Sequence, residues 1–295
     1  MMRSLYSGVA GLRTHQTKMD VVGNNIANVN TYGYKSQRAT FRDMYYQTIR
    51  SSSTGVNATQ LGYGSQVGSI DTLHVQAGYA PTDRPMDVYI DGEGFITVAD
   101  PNGGEMYTRI GALSFMPDGN TGKFKLVDMN GNSVLGCNAT ITPSVPGPPV
   151  VPGTSTINGL AADGTIASPI AIEVSNFADY TNISIGANGV ITGIDKTGTV
   201  LELGAIAVAK ISNPEGLTMQ GSSYFKAINN TGNITYAQAG KDGVGGFIPG
   251  ALEMSNVDLA KEFTDMITTQ RGYQANSRII SVVDEMLQEL VNLKR

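Results

Sequence analysis

Three aspartates, Asp83, Asp87 and Asp91, recur every four residues. On a strand that spacing puts carboxylates on one side, as in the acid–base pair of a glycosidase. Two of them adjoin turn residues, so they read as solvated turn carboxylates. Gly62-x-Gly64 and Gly243-x-Gly245 are fragments of phosphate loops. Neither has a preceding strand, a following helix and a Lys-Ser/Thr pair, so the backbone cradle for phosphate is missing. His15 falls in a helical pattern and His74 in a strand-like one, and neither has a nucleophile and an acid arranged around it. Cys137 is the only cysteine. It follows Ser133-Val134-Leu135-Gly136 at a strand end and reads as a buried structural thiol. One Cys and two His can build neither a disulfide framework nor a zinc cluster, and no cofactor is called for. Asn57, Asn138 and Asn182 begin Asn-x-Ser/Thr sequons, which arise by chance in an Asn/Thr-rich chain.

With little chemistry to position, the elements themselves become informative. Leu5, Leu12, Met19 and Ile26 recur every seven residues, with Val9 and Val22 at intermediate steps. This predicts a coiled-coil-like helix over roughly 2–29. Gly8, Gly11 and Gly23 weaken it by about 1 kcal/mol each. At the other end Leu252, Leu259, Met266, Tyr273, Ile280 and Leu287 repeat the same period, with Phe263 between. A helix over about 258–293 follows, capped by Ser255 or Asp258 and on the order of 50 Å long. That outruns a small domain. The two stripes are expected to pair with each other and with copies in neighbouring chains, and to stay largely disordered in a monomer.

Between them, Arg38, Phe41, Met44, Tyr45 and Ile49 suit a short helix, and 51–68 a loop or extended arm. Strand signals begin near 85. Asp91-Gly92, Asn102-Gly103, Asp118-Gly119, Asn130-Gly131 and Asn188-Gly189 are hairpin-type dipeptides. Five prolines in 142–156 mark an exposed insertion, placed at 139–168. The fold class is α+β: paired long terminal helices bracketing a mainly antiparallel β domain. The division is 1–29 plus 257–295 as helical assembly domain, 30–75 as connecting arm, 76–138 plus 169–256 as β core, and 139–168 as insertion. A net charge of −5 argues against nucleic acid as partner. No apolar run is long enough to insert in a membrane. No secretory signal is evident at the N-terminus, so the chain either stays in the cytosol or leaves without a cleaved signal.

The stretch "MRSLYSGVAGL…TKMDVVGNNIANVNTYGYKSQRATFRDM" (2–44) closely resembles the N-terminal signature of bacterial flagellar rod and hook proteins. The C-terminal 250–295 is similar to that family's last helix. "DVYIDGEGFITV", "YTRIGALSF", "LVDMNGNSVLG" and "ISNPEGL" match its β-domain landmarks in order. The resemblance covers nearly the whole chain except 139–168. It implies a non-enzymatic structural subunit of the flagellar hook or basal body, exported unfolded by the type III apparatus and extracellular. Its partners would be copies of itself, making a homopolymer, and other axial proteins of rod, hook cap and hook–filament junction. Within the family the start, the Asn motif and the closing "ELVNLKR" look most like short hook proteins of Gram-positive bacteria, with the distal rod protein as the alternative. The resemblance also implies assembly roles. These fall on Leu5, Val9, Leu12, Met19, Val22 and Ile26 in the first seam, and on Leu259, Phe263, Met266, Tyr273, Ile280 and Leu287 in the last. Asn24, Asn25, Asn28, Asn30 and Gly33 form the junction motif, where amides hold an irregular buried backbone. A cysteine crosslink of the spirochaetal hook kind finds no matching context around Cys137. A polysaccharide-acting β enzyme using the three aspartates, and an adhesin-like binding module, are the readings from other classes.

Overall fold

Apolar periodicity at both ends builds two long helices in a computed structural model that describes residues 2–52, 54–55, 57–100, 103–118, 122–142, 154–161, 163–196 and 198–293. The Pro-rich stretch 143–153, Asn102 and Gly119 lie outside these residues. Two compact units emerge: a helical unit (1–30, 35–73 and 257–295) and a β unit (31–34 and 74–256).

In the helical unit, α1 (Met2–Ala27) packs antiparallel to α2 (Leu259–Asn292). The direction follows from the contacts: Gly8 lies against Ile280, Gly11 against Asn276, His15 against Gly272, and Lys18 pairs with Asp265 at 3.1 Å. Asp258 caps α2 by accepting from the amides of Ala260 and Lys261, so two of the first turn's orphan donors are satisfied.

The segment expected as a short helix and a loop is instead a two-stranded ribbon. β1 (Gln37–Asp43) pairs with β4 (Ser65–Thr72), and β2 (Tyr46–Arg50) pairs with β3 (Thr59–Gly62). Met44 N–H to Gly64 O and Tyr63 N–H to Tyr45 O carry the ladder across the break. The spacing of Arg38, Phe41, Tyr45 and Ile49, in steps of three and four, fits a helix. Yet Thr40, Phe41, Tyr45, Tyr46, Thr48 and Ile49 are β-branched or aromatic, and partner strands further along the chain, at Thr59–Gly62 and Ser65–Thr72, supply the hydrogen bonds. The ribbon runs back along α1, with Thr14 Oγ1 and Ser65 Oγ at 3.3 Å. Gly64 lies close against Ser7 and Ala10 at φ +111°, where a side chain would be strained by the backbone and tightly packed, with its Cβ 3.2 Å from Ser7.

Every strand pair recorded in the β unit is antiparallel. β5 (Tyr79–Pro81) pairs with Ala251–Glu253 and β6 (Val88–Asp91) with Gly246–Pro249. β7 (Phe95–Ala99) joins β8 (Glu105–Thr108) to the central strand Val200–Ile211. That strand also pairs with Leu135–Thr142, Val190–Asp195 and Ile234–Gln238. Its residues Leu203 to Ala209 are buried without alternation, because the strand is covered on both faces. Val88, Ile90, Ile96, Val98, Leu126 and Phe247 pack in the same core. Asn130-Gly131 and Asn188-Gly189 turn the chain with glycine φ of +84° and +74°, where L side chains are disfavoured. The insertion's arms are strands: Ala139 faces Ile157 and Thr142 faces Thr154.

Candidate assembly surface

Side chains at the α1–α2 contact differ from the large-residue seam read off the sequence. On α1 the covered positions are Gly8, Gly11, Thr14, Val21, Val22 and Asn25. Of the expected seam only Val22 is buried; Leu5, Val9, Leu12, Met19 and Ile26 are half-buried. On α2, Thr269 and Val283 are buried, and Gly272, Asn276 and Ile280 meet α1. Met266, Ile280 and Leu287 are half-buried, whereas Leu259, Phe263 and Tyr273 face outward. The helices approach where residues are small. A Cβ on Gly11 would stand 2.6 Å from the Asn276 Nδ2, and one on Gly272 would stand 2.6 Å from the His15 ring. Gly11 and Gly272 are therefore notches in this pair, with a helix-propensity cost offset by close packing, whereas Gly8 touches Ile280 at ordinary contact distance. The i, i+3 spacing of Gly8 and Gly11 in a helical segment was the available signal.

Filling the notches with small residues leaves the larger ones turned outward. Ile267, Ile279, Val282, Met286, Leu290 and Leu293 are exposed on α2, and Tyr45, Tyr46, Ile49 and Leu61 on the ribbon. Exposed apolar surface of this extent marks protein interaction.

The junction asparagines divide by role. Asn25 is 1% exposed. Its Nδ2 donates to Gln37 O at 2.8 Å, and its Oδ1 accepts from Gln37 N–H at 3.0 Å. The amide thus acts as a strand would, satisfying the first residue of β1 and stitching it to α1. It also hydrogen-bonds Glu262, whose carboxyl is pushed up by burial and drawn back in part by that bond. Asn28 donates its amide to Asn24 O and Asn24 Oδ1 and its N–H to Asn24 O and Asn25 O, closing the carbonyl end of α1. Asn24 and Asn30 are exposed. Gly33, at φ +66°, belongs to the β unit, where its N–H donates to Glu253 O at 2.9 Å.

The candidates for catalysis do not converge. Asp83 is exposed in a left-handed turn, and Asp91 is exposed at a strand end, bonded to Gln76. Asp87 is not a solvated turn residue: it is buried, with Arg84 Nη1 3.6 Å away. His15 lodges between Gly272 and Phe41, and burial with nearby Lys18 lowers its pKa. His74 lies in an irregular segment rather than a strand, edge-on to Phe95 and Phe225. Cys137 is buried, and burial pushes its thiol up, away from the reactive thiolate. Asn138 is no free sequon. It bridges Ala171 O and Glu173 N–H with both ends of its amide, as Asn25 does for Gln37. Among the described residues, no group of three or more His, Cys, Asp or Glu could hold a metal. Nor, among the described residues, is any helix long and apolar enough to cross a membrane.

Three family models match this architecture segment by segment. Residues 5–35 match the flagella basal body rod protein model, 89–193 the flagellar hook protein FlgE/F/G D1 domain, and 248–293 the flagellar basal body rod FlgEFG protein C-terminal model. The flagellar basal-body rod protein FlgG of Bacillus subtilis is 42% identical over 302 residues, covering all of both chains. The chain belongs to the flagellar hook and rod protein family. The flagellar hook protein FlgE of Borreliella burgdorferi is 31% identical over 443 residues, covering all of both chains. FlgG of Buchnera aphidicola subsp. Acyrthosiphon pisum is 33% identical, over 99% of this chain and all of its own. These relatives are structural components of the flagellum rather than enzymes. The chain is accordingly a flagellar protein of the hook or basal-body rod.

Proposed function

We propose that the chain is a subunit of the distal rod, the drive shaft of the basal body. This reverses the preference for hook drawn from the motifs. The supporting observation is length: the alignment to FlgG of Bacillus subtilis spans 302 positions, the one to FlgE 443, so the 295-residue chain meets the rod protein almost without insertion. The hook reading keeps support from the FlgE match and from the terminal motifs.

In this proposal subunits add head to tail, through a heterologous contact that does not close and so generates a helical tube. Copies would cover the outward-facing Leu259, Phe263 and Tyr273 and the half-covered Leu5, Val9, Leu12, Met19 and Ile26. The exposed Asn24 and Asn30 would meet neighbours across the same contact. Burying each large apolar side chain contributes roughly 1.5–3 kcal/mol, which favours ordering of the ends upon assembly. Export through the type III apparatus and contact with other axial proteins belong to the same reading, as does the absence of nucleic acid, membrane insertion and cofactor.

Electron microscopy of purified, polymerised protein tests it. Straight, stiff tubes are expected. Curved tubes would overturn the rod assignment in favour of hook, and failure to form tubes under any condition would overturn both.

A further inference from the structure

The chain passes between the two units at 30/31, 34/35, 73/74 and 256/257. On the β-unit side, three segments flank these passages: the one holding Gly33, the one holding Ala77, and the strand Ala251–Glu253. One buried residue touches all three. Glu253 is fully buried. Its carbonyl accepts the Gly33 N–H at 2.9 Å, and its Oε1 accepts the Ala77 N–H at 3.2 Å. Its own strand pairs with β5, Glu253 opposite Tyr79. The following residue, Met254, donates to Gly78 O.

Behind Glu253 stands Arg109, 4% exposed, with its Nη1 3.5 Å from Oε2. The guanidinium also lies over the Phe95 ring, 5.1 Å from its centre. Gly33 rests on the main chain of this same residue. A Cβ there would be 3.3 Å from the Arg109 carbonyl carbon and 2.8 Å from Ile110 Cγ1, so only glycine fits. Tyr89 completes the set, donating its hydroxyl to Ala77 O at 3.0 Å. A buried carboxylate is tolerated only when paired and hydrogen-bonded, which restricts Glu253 to few arrangements. An apolar side chain would fill the volume without holding Ala77 or Arg109 in place.

We propose that Glu253 is a positioning residue that binds the three passage-flanking segments into one node. Load carried along any of them then enters the β sheet through a common anchor. The mechanical role rests on the reading of the chain as a load-bearing axial subunit; the node itself does not. The node has a signature that ordinary packing lacks. Gly33 bonds the main chain of Glu253, which survives side-chain substitution, whereas Ala77 bonds the side chain. If the node is real, removing the carboxylate frees both.

Native-state hydrogen exchange on the full-length monomer reads this directly. In Glu253→Ala the amides of Ala77 and Gly33 are expected to exchange at least tenfold faster. The core amides Ile206–Val208 should keep wild-type rates. Glu253→Gln, which preserves the acceptor for Ala77 but not the charge opposite Arg109, should give a smaller rise at both amides. It carries the test alone if the alanine variant does not fold. Release of Ala77 with Gly33 unchanged would refute the node, as would equal acceleration of the core strand. Unimpaired swimming torque in Glu253→Gln cells, alongside coupled release in the monomer, would refute the mechanical role while leaving the node standing.

Discussion

Substituting Asn25 should damage the helical unit, and substituting its neighbour Asn24 should not. Asn25→Ala leaves the Gln37 N–H and C=O without the partners now 3.0 and 2.8 Å away, at a site where Asn25 is 1% exposed. An abandoned buried donor or acceptor costs about 1–3 kcal/mol each. Alanine's better helix propensity returns roughly 0.5 kcal/mol. The net loss is about 1.5–5.5 kcal/mol of local stability. Asn24→Ala removes an exposed side chain whose Oδ1 accepts from Asn28, with the same propensity gain, so at a solvent-facing site it should fall within about 0.5 kcal/mol of zero. The Leu73 amide is a good reporter. It donates to Ser36 O at 2.8 Å, beside the stitched residue. Its exchange should accelerate at least about tenfold in Asn25→Ala and hardly at all in Asn24→Ala. Asn25→Asp keeps the acceptor for Gln37 N–H but sets a carboxylate against Gln37 O and beside Glu262, so it should not rescue. Equal effects of the two alanine substitutions, or unchanged Leu73 exchange in Asn25→Ala, would show that the amide stitch is not what holds β1 to α1.

Glycines of α1 should respond with opposite signs. Gly11→Leu, which drives atoms into Asn276, is expected to destabilise the helix pair by about 1–3 kcal/mol in denaturant titration. Gly23→Ala meets nothing within 4 Å and should stabilise it by about 0.4–1 kcal/mol. Because burial and Lys18 hold the His15 pKa below 6.5 in the folded chain, the unfolded chain binds the proton first as pH falls. Stability of the helical unit should therefore be full above about pH 6.5 and decline below it, with a flatter profile in His15→Phe; identical pH profiles would contradict this. The buried Cys137 thiol should resist a maleimide in native protein and react at once in denaturant, and rapid native labelling would argue against its burial.

Much of this was legible in the residues. Seven-residue apolar periods gave both helices close to their observed ends, and Asn-Gly dipeptides marked turns that the β unit makes. The ordered motifs pointed to the flagellar family. Those signals are local: a helix or a tight turn is settled by backbone preferences within one or two turns of chain. What the residues left open was which face meets which partner. Leu5 and Leu12 looked like the seam because they are large, yet the covered face runs through Gly8, Gly11 and Asn25. Close approach selects for small side chains and matched polar groups, and only the second helix reveals that choice. The segment 37–72 departs from its helix-and-loop pattern for the same reason, since its hydrogen bonds go to strands that do not adjoin in sequence. Local preferences along the chain thus account for the two striped ends, the turns and the family motifs. The tertiary structure alone decided that Asn25 is a stitch, that Gly272 is a notch for His15, and that Glu253 gathers Gly33 and Ala77. Each of those roles depends on groups distant in the chain, whose meeting no local preference encodes.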